Sequence, residues 1–316
     1  MNEKKIITVF GATGAQGGGL VRAILDDPQG GYLPRAVTRD PQSEKAQELA
    51  RLGAEVVAGD VDDPASVAQA LEGAHGAFFV TFFWAHFSPE KELQQAKTFA
   101  DAAKAAGIEH AVWSTLEDTR RWVPLDDDRM PTLGGKYKVP HFDGKGEADN
   151  FFRDAGVPTT FLLTSFYWDN FLNFGMGVQR SEDGKLALNL PMGEAKLPGI
   201  AASDIGRSAY EIFQRPELIG QTVGIAGDHL TGAQMAQGLA DVIGEEVVYN
   251  AVPFDVYRGL GFPGADDIGN MFQFKHDFEA DFTGARDLKR SRELNPQMAN
   301  FKQWAEANAQ ALKAAI

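Results

Sequence analysis

A strand, a glycine-rich turn and a helix follow one another at the start of the chain. The apolar run 6–10 ends in the segment 11–17, Gly-Ala-Thr-Gly-Ala-Gln-Gly, and a helical apolar pattern continues from it to residue 26. Gly11 would allow a tight turn, Gly14 would let the backbone approach a pyrophosphate, and Gly17 would permit close packing of helix on strand. The first amides of the helix would face the anion. This pattern predicts dinucleotide binding; the alternative is a turn that is merely tight.

Strand and helix signals alternate regularly through the first half of the chain. Strand-like runs lie at 6–10, 33–38, 55–58, 76–81, 110–114 and 159–164, and helical ones at 15–26, 44–52, from 64 onward, 89–106 and 144–155. Strands that alternate with helices of this length are joined in parallel by right-handed crossovers. The pattern predicts an α/β fold with a doubly wound parallel Rossmann sheet and a second, smaller α/β domain.

The alternation weakens beyond residue 165. We expect a dinucleotide-binding domain over 1–165, to which about 198–230 return, and a smaller substrate or partner domain over 166–197 and 231–316. Residues 118–140 contain three consecutive aspartates, three prolines and two adjacent glycines. The segment is too long and irregular for an ordinary connection, so it is either a functional lid or a mobile insert.

Composition and charge exclude several functional classes. The 316 residues include no cysteine, which excludes disulfide scaffolds, thiolate metal sites and cysteine nucleophiles. The net charge of −14 disfavours nucleic acid and anionic membranes as partners. No apolar stretch approaches the roughly 20 residues of a membrane span, and no signal-peptide core is visible. The six histidines lack close ligand spacing. We therefore expect a cytoplasmic protein with no metal site.

The ends of the second and third strands indicate which dinucleotide is bound. Arg39 stands where NAD-binding proteins usually place an acid, and a guanidinium can pair with a 2′-phosphate. Asp40 beside it has the wrong charge for that phosphate, and Ser43 could add only a hydroxyl. The pattern favours NADP over NAD; the alternative is a surface arginine. Asp60 and Val61 follow the third strand, near the expected adenine, although the aspartates at 60, 62 and 63 could equally form a solvated turn and helix cap.

The segment after the fourth strand is a candidate for the nicotinamide end. Thr81, Phe82, Phe83 and Trp84 follow one another there. The three aromatic rings could stack on the cofactor or on a substrate, or they could belong to the core.

Four segments of the chain resemble the NmrA-like family, a group of atypical short-chain dehydrogenases. They are the loop 11–17, the pair Thr38-Arg39, the string 141–147 (His-Phe-Asp-Gly-Lys-Gly-Glu) and the string 260–265 (Leu-Gly-Phe-Pro-Gly-Ala). The chain looks most similar to the family's HSCARG-type NADP(H)-sensor members. The resemblance implies a Rossmann domain with a smaller C-terminal domain, and NADP(H) binding by a set of residues: Gly11, Thr13, Gly14, Ala15, Gln16, Gly17, Arg39, Lys145, Tyr167, Trp168, Asp169 and Asn170. The last four would line the nicotinamide end.

The sequence leaves open whether the chain is an enzyme. Ordinary short-chain reductases use a tyrosine four residues before the lysine, and here that position is His141, four before Lys145. His141 could act as the acid, or it could only anchor its segment while Lys145 only binds the cofactor. Two hypotheses follow: an NADP(H)-occupied redox sensor that acts on a regulatory protein partner, as a monomer or homodimer, or an NADPH-dependent reductase whose small-molecule acceptor is a conjugated carbonyl, quinone or imine.

Overall fold

The computed structural model describes residues 4–173, 175–181 and 183–316. The strands are β1 (Lys5–Val9), β2 (Tyr32–Thr38), β3 (Glu55–Ala58), β4 (Gly76–Phe79), β5 (His110–Thr115), β6 (Thr159–Leu163), β7 (Phe166–Tyr167), β8 (Gln179–Arg180), β9 (Leu186–Leu190), β10 (Leu197–Ile200), β11 (Thr222–Gly224), β12 (Asp228–Leu230) and β13 (Val247–Ala251). The helices are α1 (Ala15–Asp26), α2 (Glu44–Leu52), α3 (Pro64–Ala70), α4 (Pro89–Ala106), α5 (Pro140–Asp154), α6 (Ala202–Phe213), α7 (Gly232–Ile243), α8 (Phe254–Arg258), α9 (Ala265–Asp277), α10 (Glu279–Gly284), α11 (Leu288–Leu294), α12 (Phe301–Ala307) and α13 (Ala309–Ala314).

The chain divides into two compact units. The first comprises the described residues of Met1–Asp118 together with His141–Leu163 and Ser203–Val223. Its seven-stranded sheet has the order β11-β6-β5-β4-β1-β2-β3, and the neighbouring pairs from β6 to β3 are parallel. The predicted doubly wound parallel sheet is confirmed. The strand order reverses between β1 and β4, and ligands of such sheets bind at that point, outside the carboxyl ends of the strands.

Local sequence signals set the helix boundaries of this sheet. Asp63 caps α3 by accepting a hydrogen bond from the Ala65 amide, and Pro64 occupies the first helical position. Ser88 caps the 18-residue helix α4 in the same way, and Gly107 ends it in the left-handed conformation with φ +67°. The core between sheet and helices contains the stacked or tilted rings of Phe10, Phe79 and Phe99.

The second unit comprises Thr119–Pro140, Thr164–Ala202 and the described residues of Gly224–Ile316. It contains two smaller sheets, with the orders β12-β10-β7 and β13-β9-β8. These boundaries differ from the predicted ones at 119–140, 164–165, 198–202 and 224–230, which lie in the second unit. The physical reason for the latter two is that β10 pairs with both β7 and β12.

The segment 119–140 is packed within the second unit. The Lys138 side chain is 1% exposed, and its ammonium donates to the backbone oxygens of Asp127 and Met130. Asn270 of α9 donates to the backbone oxygens of Pro131 and Lys138. Hydrogen bonds from one helix to two points of the segment tie it to the second unit. Within the described ranges, no helix combines the length and apolar character that crossing a membrane requires.

Candidate functional site

The glycine turn between β1 and α1 has the geometry that an anion cradle needs. Gly11 has a φ of +66°, which disfavours any residue with a side chain. A Cβ atom at Gly17 would lie 2.4 Å from the Gly11 carbonyl oxygen, so only glycine fits there. Gly14 precedes the helix and is exposed, as are Gly11 and Ala15, whereas Thr13 and Gln16 are half-buried. The turn therefore presents open backbone beside the N-terminus of a twelve-residue helix.

Helix α1 is held in place by backbone contact with α6. A Cβ atom at Gly19 would lie 2.8 Å from the Ser203 carbonyl oxygen, and one at Gly206 would lie 2.1 Å from the Leu20 nitrogen. Such close approach requires glycine on both helices. Sequence reasoning missed this contact, although three consecutive glycines at 17–19 inside a helix are a signal that a backbone lies nearby.

The end of β2 presents an exposed cation. Arg39 directly follows the last residue of β2 and is exposed. Its guanidinium has no hydrogen bond or ion pair with any residue that the structure describes. The Asp40 carboxylate faces its own turn, because Oδ1 accepts a hydrogen bond of 2.9 Å from the Gln42 amide. The Ser43 hydroxyl donates to the Asp40 carbonyl oxygen at 2.8 Å. Arg39 is thus available to an anionic ligand, and Asp40 does not pair with it.

The aspartates after β3 form a turn and a helix cap. Asp60 Oδ1 accepts a hydrogen bond from the Asp62 amide at 3.0 Å, and Asp63 caps α3. Hydrogen bonds from Gln95 and from Lys91 lower the pKa of Asp62. Val61 packs against the core of the first unit. Of the two readings that the sequence left open, the structure contains the turn and cap, and adenine contact by Asp60 and Val61 stays a prediction.

A buried ion pair lies beside the carboxyl end of β4. Lys145 Nζ lies 2.6 Å from Glu92 Oε1 and donates to Thr81 Oγ1 at 2.5 Å and to the Thr81 carbonyl oxygen at 3.3 Å. Lys145 is 9% exposed and Glu92 is fully buried. The Thr81 hydroxyl in turn donates to Glu92 Oε1. The ammonium also lies 5.3 Å from the centre of the Trp113 ring. These contacts fix the position of the Lys145 ammonium and pair it with a carboxylate.

A histidine faces the other oxygen of the same carboxylate. His86 Nε2 and Glu92 Oε2 are 3.7 Å apart, and neither buried atom has a hydrogen-bond partner among the described residues. His86 Nδ1 accepts a hydrogen bond of 3.1 Å from the Ser88 amide, so the ring proton is assigned to Nε2. We name Glu92, Lys145, His86 and Thr81 the Glu92 cluster.

Helix α5 carries both predicted catalytic residues one turn apart. The helix begins at Pro140, four residues before the predicted start, and so includes His141 as well as Lys145. Glycines at 144 and 146 disguised this start. At Gly146 a Cβ atom would lie 2.3 Å from the Asp118 nitrogen, so the glycine allows α5 to approach that backbone.

His141 is 6% exposed, and aromatic rings surround it. Its ring centre lies 4.8 Å from those of Trp84 and Phe142 and 5.9 Å from that of Phe83. Phe83 is buried, whereas Phe82 is 59% exposed. Phe83 is therefore a core residue and Phe82 is the ring of this segment that is most open to a ligand. Tyr137, the nearest tyrosine before Lys145 in the sequence, is buried in the second unit.

A second buried acid lies one turn beyond Lys145 on α5. Asp149 Oδ1 accepts hydrogen bonds from Thr115 Oγ1 at 2.6 Å and from Trp113 Nε1 at 3.0 Å. Burial raises the pKa of Asp149 to about 6, against the opposing effects of Thr115 and Arg153. The Trp113 ring thus contacts both the lysine and the acid.

The four residues 167–170 lie in the second unit. Trp168 is 1% exposed and packs against the rings of Phe301 and Trp304. Asp169 Oδ2 accepts a hydrogen bond from the Ala202 amide at 2.8 Å, while Tyr167 and Asn170 are half-buried. Trp168 is therefore a core side chain, and contact of residues 167–170 with the nicotinamide end stays a prediction.

Sequence reasoning missed Glu92, His86 as its neighbour, and Asp149. Glu92 shares one face of α4 with Ala96, Phe99 and Ala103, all of them buried. A carboxylate in phase with an apolar stripe is a signal of a buried, paired charge.

Comparison with known proteins identifies the family. The model of the NmrA-like family matches residues 3–306. An NAD(P)H azoreductase from Xenophilus azovorans is 29% identical over 276 residues, which are 84% of this chain and 86% of that protein. The structure of NmrA, a negative transcriptional regulator, in complex with NADP gives a TM-score of 0.81 at 22% identity, covering 99% of this chain and 98% of NmrA. The Citrobacter sp. triphenylmethane reductase complexed with NADP(H) gives 0.74 at 21% identity, covering 99% and 100%. These two structures share its fold, and the chain belongs to the NmrA-like family.

Proposed function

We propose that the first unit binds NADP(H). The observation that carries this proposal is the pairing of an open glycine turn at the end of β1 with an exposed arginine at the end of β2 that has no partner among the described residues. A guanidinium can contact a 2′-phosphate through two parallel hydrogen bonds. Two structural relatives are described in complex with NADP or NADP(H), and a further NmrA structure with NAD.

The residues present fit the parts of the cofactor. The pyrophosphate would lie on the glycine turn and the first amides of α1, and the 2′-phosphate on Arg39. The remaining half would extend along the carboxyl end of β4, beside Thr81 and Lys145. There the Lys145 ammonium, held by Glu92, would donate to a ribose hydroxyl. When bound, the cofactor supplies a hydride to an acceptor or receives one.

We further propose that the chain is a regulator of the HSCARG-sensor type, which responds to the redox state of its cofactor. The support is chemical: the position one turn before Lys145 holds a histidine enclosed by aromatic rings instead of a tyrosine, and the lysine is already paired with a carboxylate. His141 and Lys145 thus differ from the proton-donating tyrosine and the assisting lysine of ordinary short-chain reductases. A sensor also requires that the oxidised and reduced forms bind the two conformations of the protein with different free energies.

A second candidate function is reduction of a planar conjugated acceptor. One observation favours it: the Phe82 ring is exposed directly beside Thr81 and the Glu92 cluster. Aromatic rings bind planar conjugated molecules by stacking. The relative that is named NAD(P)H azoreductase supports the same class of acceptor, because an azo dye is a planar conjugated molecule.

Calorimetric titration with NADPH, NADP⁺, NADH and NAD⁺ tests the binding proposal. We expect Arg39→Ala to weaken the two phosphorylated cofactors by about 10- to 100-fold, because a charge-assisted contact is lost, and to leave NADH and NAD⁺ nearly unchanged. Arg51→Ala, an exposed arginine on α2, is the matched control and should change none of the four affinities. Equal affinity of the wild-type protein for all four cofactors would contradict the proposal.

Turnover separates the two functions. NADPH absorbance is followed with a panel of quinones, azo dyes and triphenylmethane dyes. Multiple turnovers that His141→Phe abolishes at unchanged NADPH affinity would favour the reductase. If no acceptor oxidises NADPH, while NADPH and NADP⁺ produce different patterns of hydrogen exchange in the protein, the sensor is favoured.

A further inference from the structure

We propose that Glu92 is a charge-balancing, positioning residue that allows the first unit to accept the positively charged oxidised nicotinamide ring as well as the neutral reduced one. This inference rests on the proposed binding of NADP(H) and deepens it. It concerns the ratio of the affinities for NADP⁺ and NADPH, which determines how a redox sensor responds to the state of its cofactor.

With the cofactor bound as proposed, its redox end would lie beside the Glu92 cluster. The strand order reverses between β1 and β4, and the glycine turn that would hold the pyrophosphate follows β1. Arg39, at the end of β2, directs the phosphorylated ribose to one side of that point. The other half of an extended dinucleotide must then cross towards the carboxyl end of β4. Thr81 and the Lys145 ammonium lie there, within hydrogen-bond distance of each other.

The cluster is electrically neutral only because Glu92 is present. The Lys145 charge and the Glu92 charge are 2.6 Å apart and both side chains are buried, so they act on a nearby ligand as a pair. His86 adds no charge in this arrangement, because its Nδ1 accepts the Ser88 amide proton. No hydrogen bond from a described residue compensates Glu92 Oε2, which faces only His86 Nε2 at 3.7 Å. One oxygen of the carboxylate thus lacks a hydrogen bond, and its charge, which balances that of Lys145, is the clearer reason for its place in the cluster.

Removing the carboxylate would leave a buried cation beside the redox end of the cofactor. The two cofactors carry the same phosphates and differ by the positive charge of the oxidised ring. Repulsion between that ring and an uncompensated Lys145 would therefore weaken NADP⁺ and spare NADPH. For charges several ångströms apart at a partly buried site, the effect is on the order of tenfold.

The test is the ratio of dissociation constants, Kd(NADP⁺)/Kd(NADPH), measured by calorimetry on four variants of the full chain. We expect Glu92→Gln to raise this ratio about tenfold. Lys145→Met, which leaves the buried carboxylate without its cation, should lower the ratio by a similar factor at a pH high enough to keep that carboxylate ionised. The double variant is neutral again and should return the ratio to within about threefold of the wild type. Glu90→Gln removes the same charge from an exposed position on the same turn of α4 and should leave the ratio unchanged.

Two results would overturn the inference. One is a wild-type ratio in Glu92→Gln, and the other is a double variant that keeps the ratio of either single variant. Circular dichroism monitors folding. If Glu92→Gln does not fold, Lys145→Met and the double variant still show whether the ratio responds to the charge of the pair or to a change in packing. Failure of the binding proposal is distinguishable: the wild-type protein would then bind neither cofactor, or Arg39→Ala would not discriminate between NADPH and NADH.

Discussion

The two cations beside the carboxyl edge of the seven-stranded sheet are held in opposite ways. Arg39 is exposed and has no ion-pair partner within the described residues, whereas Lys145 is 9% exposed and lies 2.6 Å from a fully buried carboxylate. Water stabilises the exposed charge at little cost, so Arg39 keeps its charge for a ligand. Burial of a charge costs several kcal/mol unless a partner compensates it. Exposure therefore determines which cation can recognise an anionic ligand and which one belongs to a neutral ion pair.

The largest effect should come from breaking the buried pair. Lys145→Met leaves Glu92 buried without its cation, and we expect the free energy of unfolding to fall by about 3–5 kcal/mol. Urea unfolding of the protein without cofactor measures this loss.

Lys97→Met is a matched control for the stability prediction. Lys97 and Asp101 lie on the same helix as Glu92, also 2.6 Å apart, but their side chains are 57% and 62% exposed. Removal of such a pair should cost about 0–1 kcal/mol. Equal losses in the two variants would show that burial does not distinguish the pairs, and the comparison would fail.

The same contrast explains how much of the site could be predicted from the sequence. The glycine turn and Arg39 depend on local order: a strand end, a turn and a helix start lie within a few residues of one another. Glu92 lies 53 positions before its partner Lys145, as their numbers show, and only the packing of α4 and α5 in the first unit brings them together. A first-turn glutamate on a helix also has an ordinary explanation, the helix dipole, which hid its role.

The domain boundaries show the same limit. The parallel alternation that predicts the large sheet is a repeated local pattern, and the structure confirms it. Residues 198–202 belong to the second unit because β10 pairs with β7 and β12, and the pairing of such short strands leaves no periodicity in the sequence.

A smaller effect, on the pH dependence of stability, is expected from the buried acid Asp149. Burial raises the pKa of Asp149 from 3.8 to about 6, so between these values the folded protein holds a proton that the unfolded chain has released. This contribution to stability is complete below pH 3.8 and is lost as the pH rises through 6. Asp149→Asn does not titrate and so escapes this loss, and we expect its free energy of unfolding relative to the wild type to rise by about 2–3 kcal/mol from pH 4 to pH 7.

Denaturant unfolding at several pH values measures this difference. His110 opposes Asp149 in the wild type: burial lowers its pKa from 6.5 to about 4, so its contribution is lost as the pH falls through that range. The net slope from the pair is therefore small until one member is removed. Asp154→Asn, an exposed acid on the same helix, should show no comparable gain. A pH-independent difference between Asp149→Asn and the wild type would contradict the raised pKa.

The smallest effect is expected from the exposed acid Asp40, although its charge alone would suggest a large effect on NADPH binding. Asp40 directly follows Arg39, and a carboxylate there should repel a 2′-phosphate. Its Oδ1 instead accepts the Gln42 amide, and the group is exposed to water and salt, which screen it. We therefore expect Asp40→Asn, which keeps an oxygen for that hydrogen bond, to strengthen NADPH binding by less than about threefold at physiological salt. Calorimetry at about 0.15 M and 0.01 M salt measures the effect, which should grow at the lower concentration. A gain in NADPH affinity of tenfold or more at the higher salt concentration would mean that the Asp40 charge acts on the phosphate without screening. Exposure to solvent would then not explain the difference between Arg39 and Lys145.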